Sequence, residues 1–356
     1  MYAVIMAGGS GTRFWPYSRQ LKSKQFLTIV GKKSLIQSTV HRFQSFIKSE
    51  DIFIVARIDH KEELEKHDLG IPDKNILFEP LGRNTAPCIG LTALFVQKRD
   101  TDGVMVVSPA DHLIRGTAGF QKTIKAAYEL ANKEESLVTI GIFPNRPATG
   151  YGYIQIDEEA GSYRDVKAYR VKTFAEKPNL ATAQRFLQSG DFFWNSGIFI
   201  FRASIFLKAI EEHLPELYES LMEIQKCIDR PNYQSILKKM YQQIRSISVD
   251  YGIMEKAKNV FLIKGNFVWN DLGSWEQVYK LSPKDKHGNV IKGNGVLIDT
   301  KNSYVVSLKG VVSVLGLDNV IVVQEGEATL VCKLDQAENV KQIVEQLKAM
   351  KLSKFI

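Results

Sequence analysis

An apolar run from Tyr2 passes into the glycine-rich turn of AGGSGTRFWPYSR, and Arg13 and Lys24 follow it. Gly8, Gly9 and Gly11 can take positive φ and carry no Cβ, so successive backbone N–H groups can turn inward around an oxyanion. Arg13 and Lys24 add fixed positive charge, and the chemistry this layout fits is the handling of phosphate. The common glycine motifs are not matched. No lysine follows as in GxxxxGK[ST], and Phe14 stands where the dinucleotide pattern places its last glycine, which disfavours Walker ATPases and NAD enzymes. A strand followed by GGSG is a tight turn in many α/β proteins. Here, however, the stretch from Arg13 to Ser23 has no apolar period and reads as a long ordered loop, and such loops are usually functional.

Four further polar clusters fall near the carboxyl ends of predicted strands. In EPLGRNTAP, Asn84 or Thr85 can cap the following helix. Yet Glu79, Arg83, Asn84 and Thr85 together carry more donors and acceptors than a cap needs, and a base-reading pocket would use them. In SPADH, Asp111 lies just past the apolar strand VMVVS, where a carboxylate suits Mg²⁺. Its chosen partner is Asp271 in VWNDLGSW, although either residue alone is equally an ordinary turn or capping aspartate. FAEKP delivers Glu176 and Lys177 before Pro178, read as a helix start. Neighbouring strand residues point to opposite faces, so the two are not expected to act through the same geometry; a surface ion pair is the alternative. In FWNSGIFIF, read as an amphipathic strand, the Asn195 amide suits sugar hydroxyls, and Gly197 is consistent with a β-bulge. Tyr151 and Tyr153 in GYGYI are either core aromatics or a sugar-facing wall, the latter preferred.

The elements that must position these groups alternate through the first half. Ala3–Met6, Ile52–Ala56, Asn75–Phe78, Val104–Ser108 and Leu137–Gly141 read as strands. Helical spacing runs over Leu35–Ile47, Ile89–Val96 and Phe120–Ala131. The expected fold class is α/β, a doubly wound, mixed but mostly parallel sheet with ligands at the strand carboxyl ends. Longer strands follow at Tyr153–Ile156, Val166–Phe174 and Phe192–Phe201, then helices from Ile205 to about Tyr241 broken at Pro215 and Pro231. From His287 come short strands punctuated by Gly and Asn, suggesting a small stacked-strand solenoid, and a helix over Gln336–Met350. The expected domains are 1–286, catalytic, with 1–150 mainly nucleotide-binding and 151–286 mainly sugar-phosphate-binding, and 287–356, β-rich with structural or assembly duties.

A content of 44% hydrophobic and 24% charged residues is that of an ordinary globular enzyme. The formal charge of +8 is spread over scattered Lys and Arg with no basic run interleaved with aromatics, which argues against nucleic acid. Cys88, Cys227 and Cys332 are too widely spaced for a disulfide framework or zinc site. No apolar run reaches bilayer length and no charged n-region opens the chain, so a cytoplasmic location, away from membranes, is expected.

Taken in order, these motifs resemble the sugar-1-phosphate nucleotidyltransferases. GRNTAP with WNSG and WNDLGSW points to the guanylyl, mannose branch. The resemblance covers nearly the whole chain. It implies Gly8, Gly9, Gly11 and Arg13 on the nucleotide phosphates, and Arg13 and Lys24 as the catalytic cations. It implies Glu79, Asn84 and Thr85 near the base, and Asp111 beside the nucleotide. On the sugar-phosphate side it implies Tyr151, Gly152, Glu176, Lys177, Asn195 and Asp271. Mg²⁺ would be held by Asp111 and Asp271, with GTP and mannose 1-phosphate as substrates and a homodimer as a possible assembly. The same chemistry on another hexose or nucleotide, and an inactive nucleotide-sugar sensor, are the alternatives. The family usually has Pro where Ser23 stands, so the Lys24 loop is expected to be less rigid, and its usual Val is Ala175 here. The isomerase half of longer relatives is absent from the sequence, giving the expectation of a monofunctional enzyme.

Overall fold

β-branched runs buried on both sides build the centre of the molecule. The structure is a computed structural model describing residues 1–9 and 11–356; Ser10 of the glycine turn lies outside the described residues. The first strands are β1 (Tyr2–Ala7), β2 (Ile52–Arg57), β3 (Ile76–Glu79), β4 (Val104–Pro109), β5 (Leu113–Arg115) and β6 (Leu137–Ile142). Between them lie α1 (Leu35–Gln44), α2 (Lys61–Glu65), α3 (Thr85–Arg99) and α4 (Thr117–Lys133). The second part adds β7 (Gly152–Tyr163), β8 (Val166–Glu176), α5 (Leu180–Ser189), β9 (Phe192–Arg202), α6 (Ala203–His213), α7 (Pro215–Gln225) and α8 (Tyr233–Gln243). It closes with β10 (Val260–Lys264), β11 (Val268–Asn270) and α9 (Trp275–Leu281).

The main sheet has the order β3-β2-β1-β4-β9-β6-β10-β8-β7, and all strands but β8 and β9 run the same way. The expected mixed, mostly parallel α/β sheet is therefore present. Alternation along each strand divides the core into two layers. Ala3, Ile5, Ile54 and Val106 pack with Val40, Phe43, Phe120 and Ile124 from α1 and α4. On the other face Val4, Phe53, Val55 and Val107 meet Ile89, Leu94, Phe206 and Leu221 from α3, α6 and α7. FWNSGIFIF, β9, is a central strand buried on both faces rather than an amphipathic one, because β4, β6 and β7 all pair with it.

The C-terminal part stacks β12 (Val290–Ile298), β13 (Tyr304–Leu315) and β14 (Val320–Glu325) in parallel, with β15 (Ala328–Lys333) antiparallel at the end. The short runs read from the sequence fuse into longer strands across a register shift between Gly293 and Gly295. α10 (Val340–Ala349) follows a 3₁₀ turn, Leu334–Asn339, so the regular helix starts later than expected. No helix is long and apolar enough to cross a membrane among the described residues.

This sheet packs against the loop that follows the glycine turn. Trp275, with no exposed surface, meets Phe14 edge-on at 4.9 Å, Tyr17 at 5.4 Å and Tyr304 at 5.6 Å. Its indole N–H donates to the Trp15 carbonyl at 3.2 Å, and the Trp15 indole donates to the Phe355 carbonyl at 2.7 Å. The loop is thus ordered by a core of its own. Trp275→Ala is expected to destabilise the protein by about 3–5 kcal/mol in chemical denaturation, because it empties the junction. A loss below about 1 kcal/mol would contradict that junction's importance.

Candidate active site

Two strands too short to register in the sequence bring the distant aspartates together. β5 and β11 form an antiparallel ribbon in which Asn270 faces Leu113 and Trp269 faces Ile114. Asp111 lies just before β5 and Asp271 just after β11, so the pairing sets both at the same end of the ribbon. Leu272, a buried non-glycine residue at φ 48, makes the turn there, its N–H donating to Asn270 Oδ1 at 2.7 Å. A left-handed leucine costs energy and is the kind of strain held at functional sites.

Lys24 reaches this pair from the 3₁₀ turn Lys24–Phe26. Its buried ammonium donates to Asp111 Oδ2 at 2.7 Å and to the Asp271 carbonyl at 2.5 Å. Gly11 lets the glycine turn close onto that lysine. Its φ is +58, and a Cβ there would stand 2.5 Å from Lys24 Cβ. By contrast Gly8 and Gly9 are not among the positive-φ glycines, and a Cβ at either would meet only ordinary contacts, at 3.6 Å and 3.9 Å. The expectation of an all-glycine left-handed cradle holds at Gly11 alone among these three. Gly11, Thr12, Arg13, Lys24, Asp111 and Asp271 line a cavity of about 350 Å³, with the Arg13 side chain exposed at its rim.

Second contacts orient both carboxylates. Tyr151 donates to Asp271 Oδ1 at 2.6 Å while Arg146 donates to the Tyr151 hydroxyl at 3.1 Å. The Tyr151 ring is buried, edge-on to Trp194 at 5.0 Å and Trp269 at 5.4 Å. It therefore supports Asp271 and is not the sugar-facing wall expected; Tyr153, without exposed surface, is core. The Trp269 indole donates to His112 Nδ1 at 3.2 Å, turning Nε2 toward Asp111 Oδ1 at 3.7 Å. Burial pulls the Asp111 carboxyl up, but the charges of Lys24 and His112 and the Lys24 hydrogen bond hold it below the ordinary value. Burial lowers His112 despite Asp111.

Asp111 also lines a second cavity of about 430 Å³ with Gly8, Gly9, Arg57, Glu79, Asn84 and Thr85. Asn84 caps α3: its Oδ1 accepts from the Thr85 N–H at 2.9 Å, with backbone φ 69 and ψ −168, a region otherwise nearly reserved for glycine. The Thr85 hydroxyl accepts from the Val249 N–H at 2.8 Å. Both residues border the cavity while doing structural work. Arg83 does not join them. It turns away to donate to the Tyr241 and Gln242 carbonyls at 2.8 Å and 3.1 Å, because the end of α8 leaves those acceptors free. Glu79 is almost fully buried and accepts from the Tyr241 hydroxyl at 3.2 Å.

On the sugar-phosphate side, Gly152, Glu176 and Asn195 meet. A Cβ on Gly152 would stand 2.4 Å from Glu176 Oε2 and 3.3 Å from Asn195 Cβ, so only glycine leaves that carboxylate its place. Asn195 donates to Asp250 Oδ1 at 2.6 Å, and its own Oδ1 accepts from Gly197, where β9 bulges. Lys177 pairs with Glu176 at 2.9 Å. A φ of 49 at Lys177 breaks the strand alternation that was expected to send the two side chains apart. Pro178 does not start α5; Asn179 caps it by accepting from the Thr182 N–H at 2.9 Å. Sequence reasoning missed Arg57 and Ser246, which line the second cavity, and Arg146 behind Tyr151. Arg57 ends β2, so the strand-end rule could have found it; Ser246 and Arg146 carry no such signal. A separate cavity of about 530 Å³ near His213, Glu216 and Arg245 gathers none of these groups.

The family model for Nucleotidyl transferase matches residues 2–288. The chain belongs to the nucleotidyl transferase family. A model for the MannoseP isomerase/GMP-like beta-helix domain matches residues 293–347 of this nucleotidyl transferase. It is 36% identical over 356 residues to a mannose-1-phosphate guanylyltransferase of Escherichia coli (strain K12), spanning 98% of this chain and 74% of the relative. It is 37% identical over 351 residues to the xanthan biosynthesis protein XanB of Xanthomonas campestris pv. campestris (strain B100), spanning 97% and 73%. The crystal structure of mannose-1-phosphate geranyltransferase from Thermus thermophilus superposes with a TM-score of 0.87 at 32% identity, over 98% of this chain and 99% of that one.

Burial pushes the Glu79 carboxyl up to about 8, against the pull of Tyr241, Cys88 and Arg57. Its folded value lies above the ordinary 4.5, so the folded state binds more protons and loses stability as pH rises between 4.5 and about 8. Glu79→Gln removes that slope. Denaturation midpoints should favour the variant increasingly across this window, and parallel pH profiles would contradict the assignment.

Proposed function

We propose that this nucleotidyl transferase transfers GMP from GTP to α-D-mannose 1-phosphate, giving GDP-mannose and pyrophosphate. The observation that carries the reading is the Lys24 ammonium, held by the Asp111 carboxylate and the Asp271 backbone carbonyl, in a cavity that shares Asp111 with the one lined by Gly8 and Gly9. The named activity of the guanylyltransferase relatives, over nearly the whole chain, supports the choice of substrates. We assign residues 1–286 to catalysis, 1–150 mainly to the nucleotide and 151–286 mainly to the sugar phosphate, and 287–356 to bracing the signature loop.

A phosphate oxygen of mannose 1-phosphate attacks the α-phosphorus of GTP in line. The bond to the bridging oxygen of the β-phosphate breaks, and pyrophosphate leaves with that electron pair. The protein's task is alignment and neutralisation, with no covalent intermediate. Arg13 and Lys24 act as cations at the nucleotide phosphates, beside Gly8, Gly9 and Gly11. Glu79, Asn84 and Thr85 border the base, and burial raises the Glu79 carboxyl there. Glu176 and Asn195 face the mannose hydroxyls, Gly152 leaves them room, and Lys177 takes the sugar phosphate. Tyr151 holds Asp271.

The family implies a divalent ion, and the donor set fits one. Asp111 is held ionised, and both aspartates offer the hard carboxylate oxygens that Mg²⁺ prefers. Among the described residues no group of three His, Cys, Asp or Glu is arranged to hold a metal ion, so the remaining positions would fall to phosphate oxygens and water. Mg²⁺ held by Asp111 and Asp271 would offset charge on the reacting phosphates.

Lys24→Ala is expected to lose about 3 kcal/mol or more of transition-state stabilisation, roughly a hundredfold in kcat. Pyrophosphate release from GTP and mannose 1-phosphate checks this. Near-normal turnover would contradict the role given to Lys24.

A further inference from the structure

Lys24 is moored from both sides by buried polar neighbours. The Gln25 amide, almost without exposure, donates to the Ala7 carbonyl at 2.8 Å and the Gly9 carbonyl at 3.3 Å, at the end of β1. On the other side Ser23 Oγ and His60 Nε2 share a hydrogen bond of 3.1 Å, and neither residue has exposed surface. His60 closes the 3₁₀ turn Ile58–His60 directly after β2, edge-on to Phe26 at 5.6 Å. The lysine turn is thereby tied to the ends of two adjacent parallel strands. Burial lowers His60 against the pull of Asp59, so the ring stays neutral and the tie is an uncharged hydrogen bond. Neither Ser23 nor His60 lines either cavity of the site.

We infer that the Ser23–His60 hydrogen bond positions Lys24, with His60 the positioning residue that fixes the backbone from which the ammonium reaches Asp111 and Asp271. The inference rests on the catalytic role proposed for Lys24. Removing one partner leaves the other buried and unsatisfied, which loosens the turn rather than emptying a binding pocket. A second way to fix the same backbone exists. Ser23 sits at φ −72 and ψ 165, which proline adopts, and among the described residues its N–H makes no hydrogen bond that proline would remove. Proline at this position would therefore supply the rigidity without the hydroxyl.

The test is steady-state kinetics with GTP and mannose 1-phosphate on wild type, Ser23→Ala, His60→Phe, Ser23→Pro and the Ser23→Pro/His60→Phe pair, with thermal melts alongside. Ser23→Ala and His60→Phe should each lower kcat by about tenfold or more while both KM values stay within about twofold, since a displaced ammonium costs alignment rather than binding. Ser23→Pro should recover most of kcat, also in the His60→Phe background. Wild-type kcat in Ser23→Ala, or a folded Ser23→Pro as slow as Ser23→Ala, overturns the inference. Should Ser23→Pro not fold, Ser23→Ala/His60→Phe decides: a double variant no slower than either single one supports the tie, and multiplied losses overturn it. A wild type that releases no pyrophosphate removes the functional reading and this inference together. An active wild type with an unaffected Ser23→Ala removes the inference alone.

Discussion

One ammonium answering two acidic residues from remote parts of the chain is the constraint on which the rest of the site depends. Lys24 lies 87 residues from Asp111 and 247 from Asp271, yet it donates to both. Burial penalises the charge of the Asp111 carboxylate, and the buried Lys24 ammonium beside it lets that carboxylate stay ionised. The same ammonium is held on its other side by the Asp271 backbone carbonyl. The three residues therefore behave as one unit, and displacing any of them changes the electrostatics of the other two.

Much of the surrounding structure reads as support for that unit. The β5–β11 ribbon sets the distance between the aspartates, and Leu272 accepts a left-handed conformation to complete the turn. Tyr151, with Arg146 behind it, fixes one Asp271 oxygen; Trp269 fixes the tautomer of His112 beside Asp111. Gly11 yields the space that a side chain would take from Lys24. The C-terminal part contributes through Tyr304 of β13, which packs on Trp275 of α9, and through the Phe355 carbonyl; together these hold the loop between Gly11 and Lys24. Its packing links a region outside the cavities to the cation inside them.

The strand–helix alternation was legible because strongly apolar runs of β-branched residues leave little choice of element, and the polar residues at their ends marked the site. What escaped was set by contacts between distant segments. β5 and β11 have three residues each, too few to show a period, although they make the site. The Tyr151 phenol was read as a wall because sequence cannot show that its hydroxyl ends on Asp271. Strand alternation separated Glu176 from Lys177, and one positive φ reversed that. Arg83 looked like part of a base pocket until the carbonyls at the end of α8 claimed it. Ser23 was read as a loss of rigidity. The structure buries it against His60, a residue with no motif around it, and that contact was not legible in the sequence.

The claim that Asp111 and Asp271 act as one cation-binding pair is tested most directly by titrating the wild type, Asp111→Asn, Asp271→Asn and the double variant with Mn²⁺ under electron paramagnetic resonance. The geometry predicts a site in the wild type that weakens in each single variant and is lost in the double one, with the fold retained by circular dichroism. Undiminished Mn²⁺ binding in the double variant would show that the pair does not hold the ion and would contradict the account.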